Sequence, residues 1–450
     1  MTKGFDTFLQ AVYTLNHCDL LMYPAQREVM RNKKLLTWFL ILSCVLLATI
    51  AFAGWVIYSF YARLSVYKPP EIPHELREAR IVVGSEFLSR NQFVTTSESW
   101  VNFDTPKGVG SIEDISIGEL DSHPGIDIAI AGRYGAMIVD RNGVKQSQIQ
   151  YEFEAEQKKI IIFNVPKTRT MLGDVRVIDI EGDGTCEYLA RGSLDGAAVF
   201  SHQGKRLWSY GAFTDEKTSI DDLAAGDLNG DGVSEFISSW DAIELFDRHG
   251  RKGWAQPLDG GLYQMEIVDV DGDRKNEIIH SSAGGLTVRD GLGKILKEVE
   301  MPFYLSHFHL CAKPDEQQSH ILVVEDDNVW LVDFKGNVVK KFAAPLTRFP
   351  NPRKPAKDDI FYLSEIDVYT AKGVWVKLKA DQPPFLAVVT EFAALDRSVL
   401  YIYSTEGRLV YQEVMPEGCS SIAVLSQEDG SSAQEFLVGG TNTVWRYHAR

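Results

Sequence analysis

Cysteine is scarce and scattered. The five present, Cys18, Cys44, Cys186, Cys311 and Cys419, include no CxxC pair. That spacing excludes a zinc ribbon and a dense disulfide framework, and leaves room for at most one bridge among the last three. An excess of positive charge is missing as well. Lys and Arg number 46 against 62 Asp and Glu, for a formal net charge of −16. Nucleic-acid binding calls for a basic stripe, so no nucleic-acid partner is expected. The chain also lacks a GxSxG elbow, an HExxH pair, a P-loop and a GxGxxG turn after a strand, which lowers the prior for an enzyme. Beyond about residue 80, helical periodicity is nearly absent. What remains is a 450-residue chain, 45% hydrophobic, long enough to bury a sizeable core.

Charge is absent altogether from Leu35 to Phe60, LLTWFLILSCVLLATIAFAGWVIYSF. This run exceeds the roughly 20 residues that span a bilayer core. Trp38 near one end, and Trp55, Tyr58 and Tyr61 near the other, fit an interfacial aromatic belt. The sequence therefore predicts a cytoplasmic tail over 1–34, a transmembrane signal anchor over 35–60 and a Pro-containing linker over 61–78. A cleaved signal peptide fits less well, because the run is long, starts late and lacks a small-x-small site after it. Arg27, Arg31, Lys33 and Lys34 crowd the near side of the span, against Arg63 and Lys68 on the far side. That bias puts the N-terminus in the cytoplasm and the rest outside, periplasmic or extracellular. Gly54, flanked by Ala51 and Ala53, would allow close approach of a second helix. The stretch Tyr67-Lys-Pro-Pro-Glu-Ile-Pro-His74 reads as a semi-rigid spacer.

Acidic loops organise the remainder. In Asp227-Leu-Asn-Gly-Asp-Gly-Val-Ser-Glu235, oxygen-bearing side chains fall at positions one, three, five and nine, with Gly232 at six. Ca²⁺ takes six to eight oxygens at about 2.3–2.6 Å, and alternating side chains of a tight loop can supply them. The set is Asp227, Asn229, Asp231 and Glu235, with Val233 adding its backbone carbonyl. The offsets recur in Asp269, Asp271, Asp273 and Glu277, with Lys275 at the carbonyl position and Arg274 in place of the turn glycine. They recur again in Asp179, Glu181, Asp183 and Glu187, with Thr185 at the carbonyl position. Up to three structural Ca²⁺ ions are expected. A damaged fourth copy, Glu119 to Asp127, has His123 and Pro124 at positions five and six and is expected to bind nothing. An EF-hand is excluded, because it needs an acidic residue at position twelve, where Ser238, His280 and Ala190 stand. The flanking segments, such as Arg176-Val-Ile-Asp-Ile180 and Glu235-Phe-Ile-Ser-Ser239, are strand-like.

Around these loops, units of four short strands repeat. A third strand and turn recur as Gly196-Ala-Ala-Val-Phe-Ser-His-Gln-Gly-Lys205, Gly285-Leu-Thr-Val-Arg-Asp-Gly-Leu-Gly-Lys294, Asn328–Asn337 and Val399–Arg408. About seven units begin near Ile112, Val175, Ile220, Gln264, Ser306, Ile360 and Ser420, which is the grammar of a propeller. The last has only three strands. A strand from Ala79–Phe87 or Trp100–Phe103 is expected to complete it and close the ring. Fold class is therefore all-β, a propeller of about seven blades over 79–450 behind one transmembrane helix.

The acidic loops resemble the FG-GAP repeats of integrin-α-like, VCBS-type propellers over roughly residues 110–300. The Gly-x-Val-x-Val-x-Asp-x-x-Gly-Lys-x-Leu-Trp pattern is also similar to that of PQQ-type and outer-membrane-assembly propellers. The first resemblance implies a ligand- or protein-binding platform with structural calcium, and the second a scaffold. The expected function is a membrane-anchored, non-catalytic platform for a protein or glycan, or a scaffold subunit. The rival is a calcium-dependent lyase or hydrolase acting on polysaccharide, as in some lyases built on propellers with similar loops. It would need basic and aromatic residues converging on one face, and Arg348, Arg353 and Lys354 are the scattered candidates. His307 and His309 alternate along one strand and share a face, either as a metal or catalytic pair or as lining. Trp208 and Trp254 occupy matching fourth-strand places and are expected to pack between blades.

Overall fold

The computed structural model describes residues 70–96 and most of 108–450, together with Leu46, Thr49, Phe52, Gly54 and Trp55. Left out of the second stretch are 119, 121–124, 152–158, 161–162, 165–171, 193–195, 212–221, 240–241, 259–261, 283–284, 314–318, 355–361 and 427–432. Two compact units make up the chain, residues 1–68 with 355–362, and residues 69–354 with 363–450. In the first, the five described residues of 35–60 are helical, and Leu46, Phe52 and Trp55 are exposed. Among the described residues, no helix is long and apolar enough to cross a membrane. Most of 35–60, Ala51 and Ala53 among it, lies outside them, as do the tail over 1–34 and the Trp100–Phe103 candidate strand.

The second unit is a seven-bladed β-propeller. Among the described residues, seven antiparallel sheets of four or five strands form the blades, and five of them consist of four consecutive strands each, paired in sequence order. Their innermost strands are Ile112–Gly118, Leu172–Ile178, Asp222–Gly226, Leu262–Val268, His309–Ala312, Thr370–Val376 and Cys419–Ser426, for blades one to seven. Seven apolar clusters hold the ring, one at each interface between neighbouring blades. Between blades two and three, for example, Leu189 and Val199 meet Leu223, Phe236 and Phe246. Trp208 packs edge-on against Phe236 with ring centroids 5.3 Å apart, and the Trp254 indole donates to the Gly291 carbonyl of the next blade at 3.1 Å. Both tryptophans thus bridge blades, as their matching places suggested.

Local chemistry explains why the same hairpin recurs between third and fourth strands. In Asp140, Asp247, Asp290 and Asp333, one carboxylate oxygen accepts the N–H groups two and four residues on, at 2.8–3.0 Å. A glycine with positive φ follows each time, as Gly143, Gly250, Gly293 and Gly336. That is a turn capped by its own Asp and ended by a left-handed residue, which makes a bulge as the fourth strand begins.

Ring closure corrects the expectation. The strand that completes blade seven is neither Ala79–Phe87 nor Trp100–Phe103. Strand β1, Arg80–Val83, adds instead to blade six as a fifth strand, antiparallel to Leu409–Met415. Strand β2, Leu88–Thr95, pairs with Thr443–Ala449 and closes the ring. Blade six also starts later than Ile360, which lies outside the described residues. A hairpin of Arg348–Pro350 with Glu365–Asp367 precedes its innermost strand. Cys186, Cys311 and Cys419 are buried free thiols, so they form no bridge.

Candidate functional site

The antiparallel meander of each blade sends its first-to-second and third-to-fourth connections to one face. The other connections emerge on the opposite face. The acidic loops are first-to-second connections. Their face also carries the Asp-Gly hairpins, and Gly291 of one such hairpin lies against the Leu228 carbonyl of the acidic loop before it.

All three intact loops share one hydrogen-bond network. The position-one carboxylate accepts backbone N–H groups from positions four and six: Asp179 from Gly182 and Gly184 at 2.7 and 2.9 Å, Asp227 from Gly230 and Gly232 at 2.6 and 2.8 Å, Asp269 from Gly272 and Arg274 at 2.7 and 2.8 Å. The position-five carboxylate accepts the N–H of position seven at 2.8 Å, from Thr185, Val233 and Lys275 to Asp183, Asp231 and Asp273. The position-nine carboxylate folds back onto position two, as Glu187 to Ile180, Glu235 to Leu228 and Glu277 to Val270, at 2.9–3.0 Å. Even the damaged copy keeps this last bond, Leu120 N–H to Asp127 at 3.2 Å. Its Asp121, His123 and Pro124 lie outside the described residues.

Each position-nine glutamate is held above the usual carboxylate range, first by burial and then by the other acids of its own loop. Glu187 is pushed up to about 7. Crowded acids raise one another's proton affinity, and a divalent cation relieves the same repulsion. The donor set therefore fits a hard cation. The tightest grouping belongs to Asp269, Asp271 and Asp273, whose ligand oxygens lie within 4.8 Å of one another. In the Asp227 loop the Asn229 amide instead donates to Asp231 at 3.1 Å and to Glu235 at 2.6 Å, standing between two carboxylates. In the third loop Glu181 is exposed, while the Thr185 hydroxyl donates to Asp183 at 2.6 Å.

Arg274 does not spoil the geometry, although it stands where the other loops have glycine. Its φ of 70° matches the left-handed glycines Gly184 and Gly232, and it keeps the bond to Asp269. Such a backbone costs a non-glycine residue of order 1 kcal/mol. Arg274→Gly is accordingly expected to stabilise the protein by about 1 kcal/mol, read from the midpoint of urea unfolding. An unchanged or lower midpoint would mean that Arg274 is not strained.

Neighbouring loops are tied to one another. Cys186 N–H donates to the Leu120 carbonyl at 3.2 Å, Ser234 N–H to Ile180 at 3.1 Å, and the Asn276 amide to the Asp227 carbonyl at 2.7 Å. Position eight of each loop thus grips the loop of the preceding blade.

A second site lies on the propeller axis. A polar channel of about 520 Å³ is lined by residues of all seven blades, within the range of small-ligand pockets, about 300–1,000 Å³. Ion pairs stud its wall, Arg176 with Glu266 at 2.7 Å and Arg133 with Glu113 at 2.6 Å. Lys372 donates to the Glu113 carbonyl at 3.1 Å. His307 and His309 both face this channel, as their alternation implied. Burial, then Lys372 and Arg176, pushes His309 down to about 3, and burial with Arg191 lowers His307. The His309 imidazole is thereby neutral at physiological pH. Burial and the nearby Glu113 push Glu391 up to about 7, against the pull of Arg133 and Lys372.

Sequence reasoning missed most of this channel. Arg348 is away from it, paired with Asp367 at 2.8 Å on the extra hairpin, and neither Arg353 nor Lys354 lines it. The converging cations are Arg133, Arg176, Arg191 and Lys372. Arg176 and Lys372 lie within inner strands, and Arg133 and Arg191 at the far ends of second strands, in blades one, two and six, so no local spacing in the sequence groups them.

No family model matches the chain. Among curated proteins it is similar to the rhamnogalacturonan endolyase YesW of Bacillus subtilis (strain 168), with 24% identity over 190 residues. That alignment takes in 33% of this chain and 30% of the length of YesW. Solved structures similar to it include BBS1N in complex with ARL6DN, with 10% identity, 82% of this chain and 98% of that one covered, and a TM-score of 0.48. The Neurospora crassa Pan2 WD40 domain aligns at 10% identity, 80% and 96% coverage and a TM-score of 0.48. Chaetomium thermophilum Raptor aligns at 10% identity, 85% and 30% coverage and the same TM-score.

Proposed function

We propose that the protein is a membrane-anchored, extracytoplasmic binding platform whose propeller presents a ligand-receptive face to a protein or glycan, with Ca²⁺ as a structural element. The observation that carries this reading is the axial channel, polar and lined by every blade, set in a ring whose blades are fastened through the acidic loops. A rigid disc with a central recess suits recognition, and the fold by itself does not choose the partner.

Anchoring rests on the uncharged run over 35–60. Leu46, Phe52 and Trp55 are each nearly two thirds exposed on their helix, as lipid-facing side chains would be. The flanking basic residues favour a cytoplasmic N-terminus, which leaves the propeller where Ca²⁺ is abundant and weak sites fill. Asp179, Glu181, Asp183, Glu187, Asp227, Asn229, Asp231, Glu235, Asp269, Asp271, Asp273 and Glu277 would hold the ions, with backbone carbonyls at Thr185, Val233 and Lys275. Bound there, Ca²⁺ would neutralise the acid clusters and stiffen the face that carries them.

A second reading draws on the likeness to YesW, a rhamnogalacturonan endolyase. The stretch aligned is a third of the chain, and the reading is kept as the rival that an activity assay addresses. The deciding experiment is a pull-down of the detergent-solubilised, full-length protein from its native membrane, with and without EDTA. A stoichiometric companion protein is expected, and its loss in EDTA would put the contact on the calcium-ordered blades. A protein recovered alone, with activity on a polysaccharide panel, would favour the enzyme instead.

A further inference from the structure

The mouth of the axial channel, on the face away from the acidic loops, carries an uncommon group of exposed rings. Tyr263 begins the inner strand of blade four, Tyr304 and His307 lead into that of blade five, and Tyr369 into that of blade six. Tyr263 and Tyr304 are 38% and 54% exposed and touch at 5.6 Å between centroids. Tyr369 is 61% exposed and lies 5.3 Å from the His307 ring. Single exposed aromatics are ordinary, whereas a contiguous group at the rim of a recess marks a binding surface. A side groove of about 90 Å³ runs under Tyr304, His307 and Tyr369 and shares the last two with the channel.

We propose that this mouth is a saccharide subsite, in which Tyr263 and Tyr369 stack on the apolar faces of an uncharged sugar whose hydroxyls reach into the channel. The proposal rests on the platform reading and names the class of its ligand. A sugar ring has two chemistries at once. Its C–H faces pack on flat aromatic rings, and its hydroxyls each donate and accept. The site offers both in the right order, rings at the rim and polar groups behind.

The character of those polar groups selects the ligand. Arg133 is paired with Glu113, and Arg176 with Glu266, so the wall presents donors and acceptors side by side rather than a field of one sign. A polyanion would meet Glu113, Glu266 and Glu391 as well as the cations. An apolar peptide would cover ion pairs without replacing the water around them, at a cost in desolvation. Neutral hydroxyls can bond to either partner. The hydroxyls of Tyr263 and Tyr369 add further donors at the rim.

The test is calorimetric titration of the detergent-solubilised, full-length protein with neutral oligosaccharides, namely gluco-, galacto-, manno- and rhamno-oligomers. Oligogalacturonates serve as the charged comparison. Saturable binding of at least one neutral series is expected, weakened about tenfold, or about 1.4 kcal/mol, by Tyr369→Ala and by Tyr263→Ala. Neither change should move the melting temperature, since both rings are exposed. Binding that both variants leave intact would overturn the placement, and binding of oligogalacturonate alone would overturn the ligand class. If no sugar binds while a companion protein still co-purifies, the proposal fails and the platform reading stands. If neither sugar nor companion is found, both fail.

Discussion

A chain lacking residues 88–95 is expected to be unable to fold as a monomer in detergent. Those residues are β2, the strand that closes blade seven. Leu88 is 1% exposed, in a cluster with Phe436, Tyr411 and Tyr447. The Arg90 guanidinium is paired with Glu413, a 2%-exposed carboxylate that also accepts the hydroxyls of Tyr411 and Tyr447 at 2.7 and 2.9 Å. Arg90 further sits 4.5 Å over the Trp445 ring. Removing the strand strips Thr443–Ala449 of its ladder, leaves an unpaired strand edge and orphans a buried carboxylate from its cation. An unpaired edge is a template for association, and orphaning one half of a buried ion pair costs about 3–5 kcal/mol. Point changes grade the effect. Leu88→Ala should cost about 3 kcal/mol as a core truncation, and Arg90→Ala a similar amount. Ile81→Ala in β1, where all four residues are exposed, should cost under about 1 kcal/mol. Urea unfolding of the three variants and size-exclusion chromatography of the deletion read these outcomes. A monomeric, cooperatively melting deletion would contradict the role given to β2.

The second large effect concerns calcium. In excess Ca²⁺, Asp231→Ala is expected to lower stability by about 2–3 kcal/mol, the linkage energy of one site held near a hundred times its Kd. In EDTA the same change should cost far less, because what remains is a carboxylate taking the Val233 N–H and the Asn229 amide at 2.8 and 3.1 Å on an exposed loop. EDTA alone should lower the melting temperature of the unaltered protein by several degrees. Melting curves by differential scanning calorimetry, run for both proteins in both buffers, make a four-way comparison. Equal losses with and without chelator would show that the loops cap strands and hold no ion. The Asp269 loop offers a check at a second place. Asp273→Ala removes one of three clustered carboxylates and should behave like Asp231→Ala.

Much of the fold is legible in the residues because each blade repeats the same local instructions. The acidic loop, the Asp-Gly hairpin and the buried central strands, such as Asp127–Gly132 and Phe385–Phe392, carry strong signals. The closing strand escapes notice for the converse reason. Leu88–Thr95 lies outermost in its sheet, and Leu88 is its one fully buried residue, so it has little of the alternation that marks a strand. The apolar run Ile81-Val82-Val83 attracts the eye instead, and all three side chains are exposed at the rim of blade six. The acidic loops are legible as a set, though not in their details. Arg274, where a glycine would be expected, adopts the glycine conformation and leaves its loop intact. The channel is the least legible part, since every blade but the sixth contributes only one to three residues and nothing local distinguishes them.

The pairing of β2 with Thr443–Ala449 also sets a timetable. The two strands are separated by roughly 350 residues of chain, which a ribosome takes roughly 20 to 70 s to make. Blades one to six can stack as they emerge, each on its predecessor. Blade seven cannot, because its outermost strand is among the first parts of the propeller to be made and its partner is the last strand of the ring. Throughout that interval Leu88 and Arg90 have no sheet to join. The ring can therefore be sealed only late, after nearly all of the described chain has been synthesised.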